Sequence, residues 1–147
     1  MSQPVQNETI RRILTTQRLG VLATHGDEYP YTSLVGFAAT GDLTTLAFAT
    51  MRHTRKFAHL QRHPHASLLI NSAVNTAADF KDAVAVTALG QAREAPEARR
   101  DELRGLYLTK FPFLTDFLND PSCALVTLAV SRFIVVARFQ DVQEIDV

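Results

Sequence analysis

The stretch Leu46–Ile70, LAFATMRHTRKFAHLQRHPHASLLI, decides how this chain is read. Its first residues are strand-like and end on an aromatic, a small residue and a hydroxyl, Phe48-Ala49-Thr50. A short bridge leads to Thr54-Arg55-Lys56. The segment after it carries Phe57 and Leu60 three apart, which predicts a one-sided helix over 55–62 stopped by Pro64, with a further strand over Ala66 to Asn71. That order puts two cations and a hydroxyl at a helix N-terminus, where free backbone N–H groups and the helix dipole favour an anion such as a phosphate. With Phe57 and Leu60 inward, Arg55, Lys56, His59, Gln61 and Arg62 are expected to face solvent or a ligand. Arg offers a planar fork for phosphate oxygens and Lys a point charge, so the adjacent pair can grip one phosphate from two directions.

Upstream, Val5, Ile10, Ile13 and Leu14 predict a short amphipathic helix within 5–18, with Asn7 as N-cap and Glu8 in the first turn. Leu19 to Thr24 and Tyr31 to Ala39 are extended runs joined by His25-Gly26-Asp27-Glu28, which reads as a hairpin. Thr40-Gly41-Asp42 is the next turn and Leu43 to Thr50 the third strand. Downstream, Ser72 to Asp82 reads as a polar loop containing the solvated charges Asp79, Lys81 and Asp82, and Ala83 to Ala92 as a strand in which Gly90 marks a bend. Pro96 at a helical N1 position opens a helix over 96–108 carrying Leu103, Leu106 and Tyr107, and Phe113, Leu114, Phe117 and Leu118 repeat the pattern after Pro112. Ala124 to Val130 and Phe133 to Val142 read as two strands joined near Ser131-Arg132. About seven strands with few helices between them suit a mainly β fold, a small antiparallel barrel that closes its own sheet edges. No repeat, low-complexity tract or linker interrupts the chain, so residues 1–147 read as one domain.

At 147 residues the chain can bury roughly two-thirds of its unfolded surface. With 46% hydrophobic and 20% charged residues it has the composition of a globular protein. Fifteen basic and fifteen acidic side chains cancel, leaving no long-range field to draw nucleic acid or an anionic membrane, so any anion site is local. No apolar run approaches the roughly 18 residues of a membrane span, and no signal-peptide pattern opens the chain, so a cytoplasmic location is expected. The single Cys123 has no internal disulfide partner and reads as a buried reduced thiol. His59, His63 and His65 bring imidazoles close together in sequence, but no further ligand type clusters with them and no metal site is expected. Phe111, Phe113 and Phe117 read as core, although Tyr107 and Phe111 also have the spacing to cover a ligand edge.

The run Phe48-Ala49-Thr50, Thr54-Arg55-Lys56, His63-Pro64 and Ser67-Leu68-Leu69 resembles the flavin-binding core of the pyridoxamine 5′-phosphate oxidase-like split-barrel proteins. Pro30-Tyr31-Thr32-Ser33-Leu34-Val35-Gly36-Phe37 is similar to that family's strand whose main chain lies along the flavin ring, and Ala85 to Ala92 to a later strand. Four segments in order cover residues 19–92. The resemblance implies a split β-barrel and FMN at the interface of a homodimer, its phosphate on Arg55 and Lys56 with Thr50 and Thr54 as hydroxyl partners beside Ala49. It implies the ring against the backbone of Ser33, Leu34, Val35 and Gly36. Asn71, closing a strand nearby, is either a ribityl contact or a turn residue. The expected function is an oxidoreductase passing electrons between reduced flavin and a small organic acceptor, with no catalytic side chain identified. The alternative is a carrier or sensor that binds flavin or haem without turnover. Pyridoxamine phosphate oxidases proper carry a basic side chain where this strand has Ser33, and a C-terminal segment with Trp and Arg. This chain has no Trp, which points away from vitamin B6 oxidase activity.

Overall fold

A computed structural model describes residues 3–147. The elements are α1 Glu8–Thr16, β1 Leu19–His25, β2 Pro30–Ala39, β3 Thr45–Met51, α2 Arg55–Arg62, β4 His65–Asn71, α3 Asp79–Asp82, β5 Val84–Glu94, α4 Glu97–Lys110, a 3-10 turn Pro112–Leu114, α5 Thr115–Asn119, β6 Cys123–Ala137 and β7 Asp141–Asp146. The strands form one antiparallel sheet in the order β3-β2-β1-β4-β5-β6-β7, and β3 also pairs with β6. Six strands therefore close a barrel and β7 extends it along β6.

Local chemistry explains most of the boundaries. The Asn7 side chain accepts the Ile10 N–H and starts α1, whose Ile10, Ile13 and Leu14 are buried. The third strand starts at Thr45 rather than Leu43 because Leu43 sits at φ 62 inside the turn, while the Asp42 carboxylate accepts both the N–H and the hydroxyl of Thr44. The loop after β4 contains the four-residue α3, whose Asp79 accepts the N–H groups of Val74, Asn75 and Thr76. Those bonds hold its carboxyl below the usual range. Phe37, Phe48, Phe133, Leu22, Leu46, Leu68, Ile70 and Leu128 fill the barrel, all under 2% exposed.

The end of the chain departs from the expected pair of strands. No turn exists at Ser131-Arg132; β6 runs through it for 15 residues. Its first half pairs with β3 and its second half with β7, while β5 follows both halves. The β5–β6 register shifts between Leu89 and Gly90, and the Ser131 hydroxyl donates to Leu89 O at 3.1 Å, so a bulge bends the strand instead of reversing it. The reversal falls at Arg138 and Phe139, both at positive φ. Neither is Gly or Asn, so the sequence carries none of the usual marks of that turn.

Phe113 was expected in the core and is 74% exposed. The 3-10 turn opened by Pro112 carries it outward, and only the edge of Phe111, itself buried, meets its ring. Cys123 is a half-buried free thiol at the start of β6, not a fully buried one; what burial it has raises its pKa.

A cleft between two parting strands and a basic helix start

β2 is paired with β1 along its length, from Leu19↔Gly36 to His25↔Pro30. With β3 it pairs only at Phe37↔Phe48, Ala38↔Ala47 and Ala39↔Leu46. Below that point β3 continues along β6 through Thr50↔Ala124, and the two strands part. The Phe37 N–H donates to Arg18 O on the β1 side. Alternation along an antiparallel strand then turns the N–H and C=O groups of Leu34 and Gly36 toward the opening. Val35 points into the core, Leu34 is 65% exposed outside, and the Ser33 hydroxyl is buried with no hydrogen-bond partner.

The start of α2 closes the lower end of the opening. The Thr54 hydroxyl donates to Met51 O at 2.8 Å and accepts the Phe57 N–H at 3.4 Å. With its proton so placed, it accepts the Thr50 hydroxyl at 2.9 Å. Thr50 and Thr54 are thus brought together as expected, but both hydroxyls serve the helix cap and Thr50 is buried. Arg55 is exposed and Lys56 half-buried, and among the described residues neither takes part in an ion pair. The Arg55 guanidinium lies 5.4 Å from the Tyr31 ring centroid, tying the helix start to β2. Tyr31 opens the run Tyr31 to Ala39, and an aromatic two residues before Ser33 was the available signal in the sequence.

His59 corrects an expectation. It was placed on the solvent face of α2 and is 5% exposed, its Nδ1 2.9 Å from the Thr24 hydroxyl and its ring edge-on to Tyr31 at 5.4 Å. A buried imidazole with a hydroxyl partner satisfies its polar edge, so α2 buries three side chains rather than two. Asn71 is not brought to the helix start. It lies at the far end of β4 opposite Ala85, two strands from β2, and its Oδ1 accepts the Ala73 N–H. Ala49 sits in the opening itself.

The upper end is closed by α4. The buried Tyr107 hydroxyl donates to Gly36 O at 3.2 Å, and the Ala49 N–H of β3 lies toward the phenol oxygen. Burial pushes the Tyr107 phenol up to about 12. One turn on, the Lys110 ammonium donates to Leu14 O and Gln17 O at the end of α1 and lies 4.0 Å from the Phe37 ring centroid. Burial, with Arg18 nearby, pulls it down to about 8.

These two groups give stability opposite slopes with pH. Between about pH 8 and 10.5 the unfolded chain holds the Lys110 proton more tightly, so stability rises with pH there; between 10 and about 12 the unfolded chain releases the Tyr107 proton first, so stability falls. The Tyr107 contribution reaches at most about 2–3 kcal/mol, and that of the half-exposed Lys110 is smaller. Urea midpoints measured from pH 7 to 11.5 are expected to pass through a maximum near pH 10. Lys110→Met is expected to flatten the rise and Tyr107→Phe the fall; wild-type slopes in both variants would contradict these assignments.

A large cavity, about 840 Å³, lies away from this cleft. It is a concavity on the outer face of β1, β4, β5 and β6, lined by His25, His65, Gln91 and Arg93 among others. Among the described residues no group of three or more His, Cys, Asp or Glu side chains is arranged to hold a metal ion.

A closed six-stranded antiparallel barrel whose second and third strands part above a basic helix start is a split barrel. The sequence profile of the pyridoxamine 5′-phosphate oxidase family matches residues 6–111, and the chain belongs to that family. The fold is similar to a haem-binding protein from Mycobacterium smegmatis, with a TM-score of 0.85 and 19% identity over 99% of this chain and 60% of that one. It is similar to General Stress Protein 26 from Bacillus anthracis, with a TM-score of 0.70 and 18% identity over 95% of this chain and 97% of that one. A FAD-binding protein from Mesorhizobium loti aligns with a TM-score of 0.69 and 16% identity over 89% and 94% of the two chains. The chain thus spans about three-fifths of the length of the mycobacterial protein, and at these identities the likeness is one of fold alone. No curated protein matches the sequence. No helix among the described residues is long and apolar enough to cross a membrane.

Proposed function

We propose that this protein binds FMN in the cleft between β2 and β3 and, as a homodimer, passes electrons between the reduced flavin and a small organic acceptor. The observation that carries the proposal is the edge of β2 that β3 leaves unpaired, the seven residues Pro30–Gly36, beside two cations that have no carboxylate partner among the described residues. The residues fit the group. Arg55, Lys56 and the backbone N–H groups of the first α2 turn face the phosphate, while Leu34 and Gly36 offer main-chain donors and acceptors to the polar edge of the ring. Thr50 and Thr54 hold the helix start in place rather than taking the phosphate themselves. Bound there, the flavin supplies hydride and single-electron chemistry. The chain binds and orients it, and sequesters one face.

The dimer is supported by the outer surface. Leu34, Val21, Leu69, Thr87 and Ile134 stand opposite one another in register across five strands and form an apolar row. A second copy covering this row would lie beside the cleft, because Leu34 stands on the β2 edge that opens it. Sedimentation at micromolar concentration is expected to give a dimer, which Leu34→Glu with Leu69→Glu converts to monomer.

A second reading has one observation in its favour: His25 and His65 line the large outer cavity, where an imidazole could meet the iron of a haem. The absorption spectrum of the purified protein separates the two. Flavin bands near roughly 370 and 450 nm support the first reading and a Soret band the second. A colourless protein that takes up neither cofactor would overturn both.

A further inference from the structure

We infer that the Tyr107 hydroxyl is a positioning group that keeps the β2 edge open for the flavin, acting as a wedge at the point where β2 and β3 part. The inference rests on the flavin reading of this cleft. The last β2–β3 pair is Phe37↔Phe48, so the next pair in register would be Gly36↔Ala49. In its place stands the Tyr107 oxygen, which donates to Gly36 O at 3.2 Å and is faced by the Ala49 N–H. Gly36 O is thus satisfied by the phenol rather than by Ala49 across the strands, and the ladder stops. Gly36 favours this arrangement, since a Cβ there would sit 3.3 Å from the hydroxyl and 3.4 Å from the Phe111 ring and would press both back by a few tenths of an ångström. With the ladder stopped at Phe37, the N–H and C=O groups of Leu34 and the N–H of Gly36 stay free.

Removing the hydroxyl orphans Gly36 O, and the cheapest repair is for it to take the Ala49 N–H across the strands. The ladder then extends downward and takes up the edge. The test is Tyr107→Phe, which keeps the ring and its packing. In the flavin-free variant, amide exchange at Leu34 and Gly36 is expected to slow by about tenfold or more, and FMN and riboflavin affinities to fall together by about tenfold. A purely structural tyrosine would change the unfolding midpoint without slowing those amides. Unchanged exchange at Leu34 and Gly36, or unchanged affinity for both flavins, would overturn the inference. Should the variant not fold, wild-type exchange decides it: a slow Ala49 amide beside fast Leu34 and Gly36 amides supports the wedge, and slow amides at all three contradict it. If wild-type protein takes up no flavin, the functional proposal fails while the exchange result still decides the wedge.

Discussion

Replacing Arg55 and Lys56 together by Ala is expected to weaken FMN by roughly 100- to 1,000-fold while changing riboflavin by less than about threefold. The two ligands share the ring and ribityl chain and differ only in the phosphate. Each charge-assisted hydrogen bond is worth about 1.5–3 kcal/mol, and the partial exposure of the pair favours the lower end. The fold should be unaffected, because neither side chain is in the core and α2 is held by Phe57, His59 and Leu60. Equal losses for both ligands, read by quenching of flavin fluorescence, would show that the pair supports the barrel rather than the phosphate. Arg55→Lys is the informative single change. It keeps the charge but loses the stacking on Tyr31 and the fork, and an intermediate loss is expected.

The largest effect on stability is expected at Gly90. A Cβ there would lie 2.0 Å from Ala129 O and 2.8 Å from the Ala129 carbonyl carbon, both backbone atoms of the paired strand. Its backbone is not left-handed, so the constraint is space and not conformational freedom. Gly90→Ala must push β5 and β6 apart at the bulge, in strands that close the barrel, at a cost of about 3 kcal/mol or more. Gly105→Ala is the control. It sits exposed within α4 with nothing within 4 Å of a new Cβ, and a gain of about 0.5–1 kcal/mol is expected from helix propensity alone. Urea midpoints of the two variants should therefore move in opposite directions. A Gly90→Ala protein as stable as wild type would mean that the bulge is not fixed where the register places it.

The same glycine shows how far the sequence could be read. Its position inside an apolar run marked a bend, and the structure turns that bend into a register shift. The strands from Leu19 to Asn71 and the helix between them followed from extended apolar runs, turn residues, the spacing of Phe57 and Leu60 and the stop at Pro64, all of them local signals. The β6–β7 reversal did not, because Arg138 and Phe139 take positive φ without the residue types that usually advertise it. His59 was misplaced because its spacing from Phe57 and Leu60 leaves it at the margin of the apolar face, and only its tertiary partners Thr24 and Tyr31 draw it inside. Arg55 and Lys56 were legible as a pair at a helix start. The hydrogen bonds that tie the Thr50 and Thr54 hydroxyls to the helix start were not, since sequence shows a hydroxyl but not where its proton goes. Tyr107 was legible as a helical apolar position with the spacing to cover a ligand edge, and the requirement that a buried phenol find a partner becomes specific once Gly36 lies beneath it.

Titration of the cofactor-free wild-type chain with FMN and, in parallel, riboflavin tests the account most directly. Saturable uptake of about one FMN per chain, with riboflavin bound roughly 100-fold more weakly, is the predicted result. No uptake of FMN, or riboflavin bound as tightly as FMN, would contradict it.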